Sequence, residues 1–197
     1  MENNGELYYK IALSLIPRIG PVTARRLIAS VGSVEGIFRE SRSNLVRVHH
    51  LSEQLAGAIR NKSIPEKVDK ELRFIDRYGI TPVFYTDTGY PSRLRNCEDA
   101  PVMLYVKGDL DSDSRKVVSI VGTRKATDRG LEICNQLVDD LAENNPDMLI
   151  VSGLAYGIDI CAHKAALRNH LATLAVLGHG MDTIYPSIRR SIAAEIA

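Results

Sequence analysis

Val117-Val118-Ser119-Ile120-Val121-Gly122-Thr123-Arg124-Lys125-Ala126-Thr127 is a short apolar run that breaks on a glycine and becomes a small polar loop. The run has the length and β-branched content of a buried strand, and the residues after it change period: Leu131, Cys134, Leu137, Val138 and Leu141 share one stripe of a helix. The pattern then repeats. Met148 to Val151 is a second apolar run, a helix carrying Ile160, Cys161, Ala165 and Leu167 follows Gly157, and Thr173 to Leu177 is a third run. Strand, helix, strand, helix, strand predicts an α/β fold with a parallel, doubly wound, Rossmann-like sheet and right-handed crossovers. A third crossover helix is still running at Ala197, so the sheet over residues 115–197 is expected to be part of a larger one.

Working back from that sheet, residues 1–64 read as a small all-helical domain. Apolar residues recur there in short helical pieces, interrupted by Pro17, Gly20, Pro21, Gly32 and Gly36. Residues 65–114 read as a connector, with a charged helix near Glu66 to Tyr78 and two runs, Pro82 to Tyr85 and Val102 to Val106, expected as extension strands of the sheet domain. Within the first segment, Leu15 to Leu27 fits a helix-hairpin-helix, whose backbone amides at Gly20 and cations at Arg25 and Arg26 could meet a DNA phosphate; a helical packing module fits equally. Pro21 removes one hairpin donor, and the second candidate hairpin, Val48-His49-His50-Leu51-Ser52, lacks glycine.

The chain is 45% hydrophobic and 25% charged, with no tryptophan, which supports a packed core and excludes disorder. Cys97, Cys134 and Cys161 are widely spaced, giving neither a disulfide framework nor a structural zinc pattern, so a reducing, cytoplasmic setting is expected, with no metal and no cofactor. The N-terminus lacks the basic and apolar regions of a signal peptide, and no stretch is apolar enough to span a membrane. The formal charge of +1 divides into +4 over residues 1–62 and −3 over the rest, so a polyanion site in the second part has to be made by a few placed groups.

Those groups lie after the strands. In an open parallel sheet, ligands bind at the strand carboxyl ends, and here all three ends carry glycine-bearing loops. Gly122, Thr123, Arg124, Lys125 and Thr127 follow the first strand, Ser152 and Gly153 the second, Gly178 and Gly180 the third. Glycine permits close backbone approach, the hydroxyls can donate to phosphate, and an arginine grips it with a planar fork. Neither the dinucleotide fingerprint nor the P-loop spacing is present. Asp159 and His163, four residues apart on one helix face, read either as a catalytic carboxylate–imidazole pair or as a helix cap and a histidine tied to a neighbouring loop.

Tyr90-Pro91 with Leu94, Ala100 to Gly108, Ile120 to Thr127, Val151 to Asp159 with Ala162-His163, and Val176 to Asp182 with Tyr185-Pro186 together resemble, in order, the motifs of the DNA processing protein A (DprA, or Smf) family. The N-terminal helices are similar to that family's sterile-alpha-motif-like domain. The resemblance implies a non-enzymatic protein of natural transformation that binds and protects single-stranded DNA, helps load the recombinase RecA, and forms a homodimer in its complete form. It implies Arg124 as the principal phosphate ligand, with Arg129, Asp159 and His163 supporting. Arg129 stands where the family has a tyrosine, and Arg189 near where it has an asparagine. The alternatives are a nucleotide phosphoribohydrolase-like enzyme, for which the expected triple glycine is replaced by Ser152-Gly153-Leu154-Ala155, and a nucleotide-sensing module.

Overall fold

Serine, proline and glycine, which punctuate the first eighty residues of the sequence, sit at helix ends in the computed structural model, which describes residues 3–47, 50–109, 113, 116–183 and 187–197. Helix α1 (Asn3–Ser14) is followed by α2 (Pro21–Val31), which begins with proline in its first turn and ends on Gly32 at φ 93°, whose N–H caps the Ile28 carbonyl. Ser33 caps α3 (Val34–Arg39) by accepting from the Gly36 N–H, and Ser52 caps α5 (Glu53–Ile59) by accepting from the Leu55 N–H; α4 (Arg42–Arg47) lies between them. Gly36, expected as a breaker, is inside α3. A Cβ there would stand 2.8 Å from the Ser33 hydroxyl, so this glycine makes room for the cap. Of the second candidate hairpin, Val48 and His49 lie outside the described residues, and Ser52 serves as the α5 cap.

Helix α6 (Ile64–Tyr78) packs against α1, which also packs against α3; Ile11, Leu13, Leu27, Ile37, Leu45 and Val68 are buried in this unit. Strands β1 (Thr81–Phe84) and β2 (Met103–Val106) flank the short α7 (Ser92–Arg95) and pair antiparallel, Thr81 opposite Val106 and Phe84 opposite Met103. They form a two-stranded ribbon of their own. Asp87 in the intervening loop accepts from the Phe84 N–H and from Lys10 of α1, both at 2.8 Å, and the Tyr90 hydroxyl donates to the Pro101 carbonyl at 2.6 Å. Chain contacts divide the molecule into this unit, up to Lys107, and a second from Gly108 onward.

The second unit is a Rossmann-like parallel sheet. It runs β3 (Val117–Ser119), α8 (Asp128–Asn144), β4 (Leu149–Ser152), α9 (Ile158–Arg168), β5 (Ala172–Ala175), a 3-10 turn (Met181–Thr183) and α10 (Ser187–Ile196). The strand order is β3-β4-β5, with Val118 opposite Ile150 and Ile150 opposite Thr173. The first strand ends two residues earlier than its apolar run, although the Ile120 N–H still donates to the Val151 carbonyl. Two crossovers stepping in the same direction place both connecting helices on one face, and α8 and α9 pack against each other. Ile120, Cys134, Val138, Ile150 and Ala162 form the core between them and the sheet; Ile192 of α10 joins a smaller cluster with Leu154 and Ile160. All three cysteines are free thiols, and burial beside Cys161 pushes the Cys134 thiol up to about 12.

Ile150 is fully buried at the centre of the sheet. Truncating Ile150→Ala is expected to cost about 3 kcal/mol, and Ile150→Val about 1 kcal/mol, in urea unfolding. An unchanged midpoint for Ile150→Ala would show that the core lies elsewhere.

Candidate functional site

The three loops at the carboxyl edge of the sheet are locked to one another by backbone contacts, and two positions tolerate no side chain. At Gly157 the backbone has φ 78° and a Cβ would fall 2.2 Å from the Thr123 carbonyl, so both conformation and space require glycine. At Gly122 a Cβ would fall 2.7 Å from the Ile158 Cβ. The Thr123 carbonyl accepts from the Ile158 N–H at 3.3 Å, which seats the first loop on the start of α9. Val176, just past β5, donates its N–H to the Ser152 carbonyl at 2.8 Å, which holds the third loop against the second.

Asp159 lies beneath this junction, 6% exposed. Its Oδ1 accepts from the Gly122 N–H at 3.2 Å, and Oδ2 sits 2.8 Å from where a Gly153 Cβ would be, so Gly153 leaves the space the carboxylate fills. One turn on, His163 is wholly buried, with Nδ1 2.7 Å from the Thr173 hydroxyl. That hydroxyl also lies 3.0 Å from the Ile150 carbonyl, to which it can donate, so the imidazole is tied through Thr173 into the sheet. Burial lowers the imidazole pKa to about 4, against the upward pull of the Asp159 carboxylate and the Ser152 backbone carbonyl. Both side chains are held inside the unit, away from any substrate at the sheet edge.

The hydroxyls divide. Ser152, expected among the phosphate ligands, is 3% exposed and donates to the Ile120 carbonyl at 2.6 Å, so its proton is committed to the sheet. Thr127 caps α8 by accepting from the Gly130 N–H at 3.2 Å, and Thr123 accepts from the Lys125 N–H at 3.2 Å; both remain exposed. Gly178 and Gly180 are exposed as well. Arg124 and Lys125 project from the first loop, exposed, and their side chains make no hydrogen bond or ion pair to any described residue. Arg129, in the first turn of α8, stands 3.5 Å from Glu132. Tyr185 and Pro186 lie outside the described residues, as does the side chain of Arg189.

In the first unit the expected hairpin contacts separate. Gly20 precedes α2 in open space and Arg26 is exposed. Arg25 instead folds back, donating to the Cys97 carbonyl at 2.9 Å and the Ala100 carbonyl at 3.3 Å, with its guanidinium 5.2 Å from the Tyr85 ring centre. Its charge is spent on the loop before β2, and nothing in the local sequence reveals those distant carbonyls. Among the described residues there is no group of three His, Cys, Asp or Glu side chains placed to hold a metal, and no helix is long and apolar enough to cross a membrane.

The family model for DNA recombination-mediator protein A matches residues 81–197. Protein Smf of Synechocystis is 34% identical over 98% of this chain and 49% of its own length; DNA processing protein DprA of Streptococcus pneumoniae is 42% identical over 54% of this chain and 36% of its own. A crystal structure of the Streptococcus pneumoniae DprA superposes with a TM-score of 0.62 at 28% identity, covering 95% of this chain and 62% of that one. The chain therefore spans about half the length of the curated relatives it matches.

Gly157→Ala is expected to destabilise the second unit by at least ~2 kcal/mol, read by urea unfolding, since it combines a backbone strain with a collision against carbonyl oxygen. A parent-like midpoint would mean that the loops are not interlocked. The buried neutral His163 contributes stability that is complete above its ordinary value of 6.5 and is lost as pH falls toward about 4, because the unfolded chain binds the proton first. The loss is expected to approach 3 kcal/mol, roughly, across that window, and a His163→Gln variant should flatten the slope. A parent whose stability is level from pH 6.5 to 4 would contradict the buried, neutral assignment.

Proposed function

The chain belongs to the DNA recombination-mediator protein A family, and on that premise we propose that it binds single-stranded DNA through phosphates at the carboxyl edge of its parallel sheet. In this reading it is a cytoplasmic binding protein and not an enzyme: in natural transformation it protects incoming strands and, as a homodimer in the complete protein, helps load RecA onto them.

The observation that carries the proposal is the pair of unpaired, exposed cations, Arg124 and Lys125, on a loop that Asp159, Gly122 and Gly157 hold in place. A guanidinium mounted on a rigid loop loses little conformational freedom on meeting a phosphate, and it reads no base, so the contact is tolerant of sequence. Thr123 and Thr127 flank it with exposed hydroxyls, each still able to donate a proton, and Gly178, with nothing within 4 Å of where a Cβ would be, leaves the third loop open to close approach by a strand; at Gly180 that space is taken by the Asp182 carboxylate, 2.6 Å away. The formal charge of the second segment is negative, which makes attraction depend on these placed groups and therefore on salt.

Arg124→Ala should weaken binding of a fluorescent single strand of ~20 nucleotides by about 2 kcal/mol, near thirtyfold, with an unchanged thermal midpoint. Duplex of the same length should compete poorly. Affinity equal to the parent's across a salt series would remove the strand-edge site from consideration.

A further inference from the structure

The exposed side of α6 carries a groove of about 240 Å3 lined by Ser63, Glu66, Lys67, Lys70 and Arg73. Its cations differ from most others in the same unit in having nothing to hold. Lys10 is bound by Glu6 and Asp87, Arg18 by Gln54, Arg39 by Glu35, and Arg95 by the Asp87 and Tyr90 carbonyls. The side chains of Lys67, Lys70 and Arg73 make no hydrogen bond or ion pair to any described residue, although Glu66, Asp69 and Glu71 stand on the same helix. Ser63, at the α6 N-cap, makes no side-chain bond to the first turn, so its hydroxyl is also uncommitted beside the positive end of a fifteen-residue helix.

Spaced three residues apart, the three cations form a row about 9 Å long on one side of the helix. A row of point charges suits a linear polyanion. No apolar residue lines the groove, so a protein partner would find none of the aromatic or aliphatic anchors that dominate protein interfaces. Glu66 reduces the formal charge of the groove, which makes the contact modest and sensitive to salt. We infer that the Lys67, Lys70 and Arg73 groove binds the phosphodiester backbone of a single-stranded nucleic acid, as a contact additional to the Arg124 loop. The choice of a single strand rests on the function proposed above; the cationic groove does not.

The test compares the parent chain, Arg124→Ala, and the triple variant Lys67→Gln/Lys70→Gln/Arg73→Gln with a fluorescent oligothymidine of ~20 nucleotides over a salt series. Three lost phosphate contacts should make the slope of log affinity against log salt shallower by about 2 and weaken low-salt binding by about tenfold, with the thermal midpoint unchanged because all three side chains are exposed. If the midpoint does shift, the double variant Lys67→Gln/Lys70→Gln is judged by a slope change of about 1. Parent-like affinity and slope in the charge-removed variant overturn the groove; if Arg124→Ala still loses binding, the strand-edge reading stands. Loss in the triple variant with none in Arg124→Ala supports the groove and overturns the strand edge, and a parent that binds no oligothymidine overturns both. Poly-glutamate whose binding falls further than the oligonucleotide's in the triple variant would assign the groove to an acidic protein and overturn the phosphodiester inference.

Discussion

The hydrogen bond from the Gly122 N–H to the Asp159 carboxylate is the contact on which the carboxyl edge of the sheet depends. A carboxylate buried to this extent is stable only where donors or a favourable field compensate for lost water. Asp159 has both, the Gly122 amide in the loop after β3 and the positive end of α9, in whose first turn it lies. By satisfying itself it joins the loop after β3 to the start of α9, and Gly153 leaves the room it needs. The interlock of Gly157 with the Thr123 carbonyl completes the junction, so three loops that are far apart in sequence become one rigid edge.

That arrangement has an electrostatic consequence. Some of the donors that commonly hold phosphate at such an edge are taken internally: Ile158 gives its N–H to Thr123, Gly130 to Thr127, and Ser152 its hydroxyl to Ile120. Asp159 also occupies the α9 dipole that an anion would use. In the function proposed above, attraction for phosphate falls to the side chains of Arg124 and Lys125, with the backbone as their mount. Charged side chains on a fixed loop can hold phosphates without base readout, which is what the proposed strand binding requires.

Much of this was legible in the chain because the deciding signals are local. The alternation of apolar runs of four or five residues with helical stripes identifies the parallel sheet, and glycine directly after Val121, Ser152 and Leu177 marks the loops. What could not be read depends on partners distant in sequence. Ser152 turns inward because of the Ile120 carbonyl, and Arg25 folds back because of carbonyls at Cys97 and Ala100. Gly36 reads as a breaker, yet its lack of a side chain is what admits the Ser33 cap. The charges of α6 alternate along the sequence and so look self-compensating; only in three dimensions do Lys67, Lys70 and Arg73 emerge without partners.

Asp159 and His163 show why spacing alone is a poor guide to chemistry. Four residues apart on a helix is the separation that places a carboxylate beside an imidazole, and it is equally the separation that places two polar groups beneath the same sheet. The difference lies in what holds them. The Thr173 hydroxyl joins His163 Nδ1 to the Ile150 carbonyl and keeps the imidazole inside the sheet, while the Asp159 carboxylate accepts from the Gly122 N–H. Burial drives the imidazole pKa well below neutrality, and the hydrogen bond that the Asp159 carboxylate accepts comes from Gly122 rather than from His163. The pair therefore contributes by fixing α9 against β5 and against the loop after β3 that carries Arg124.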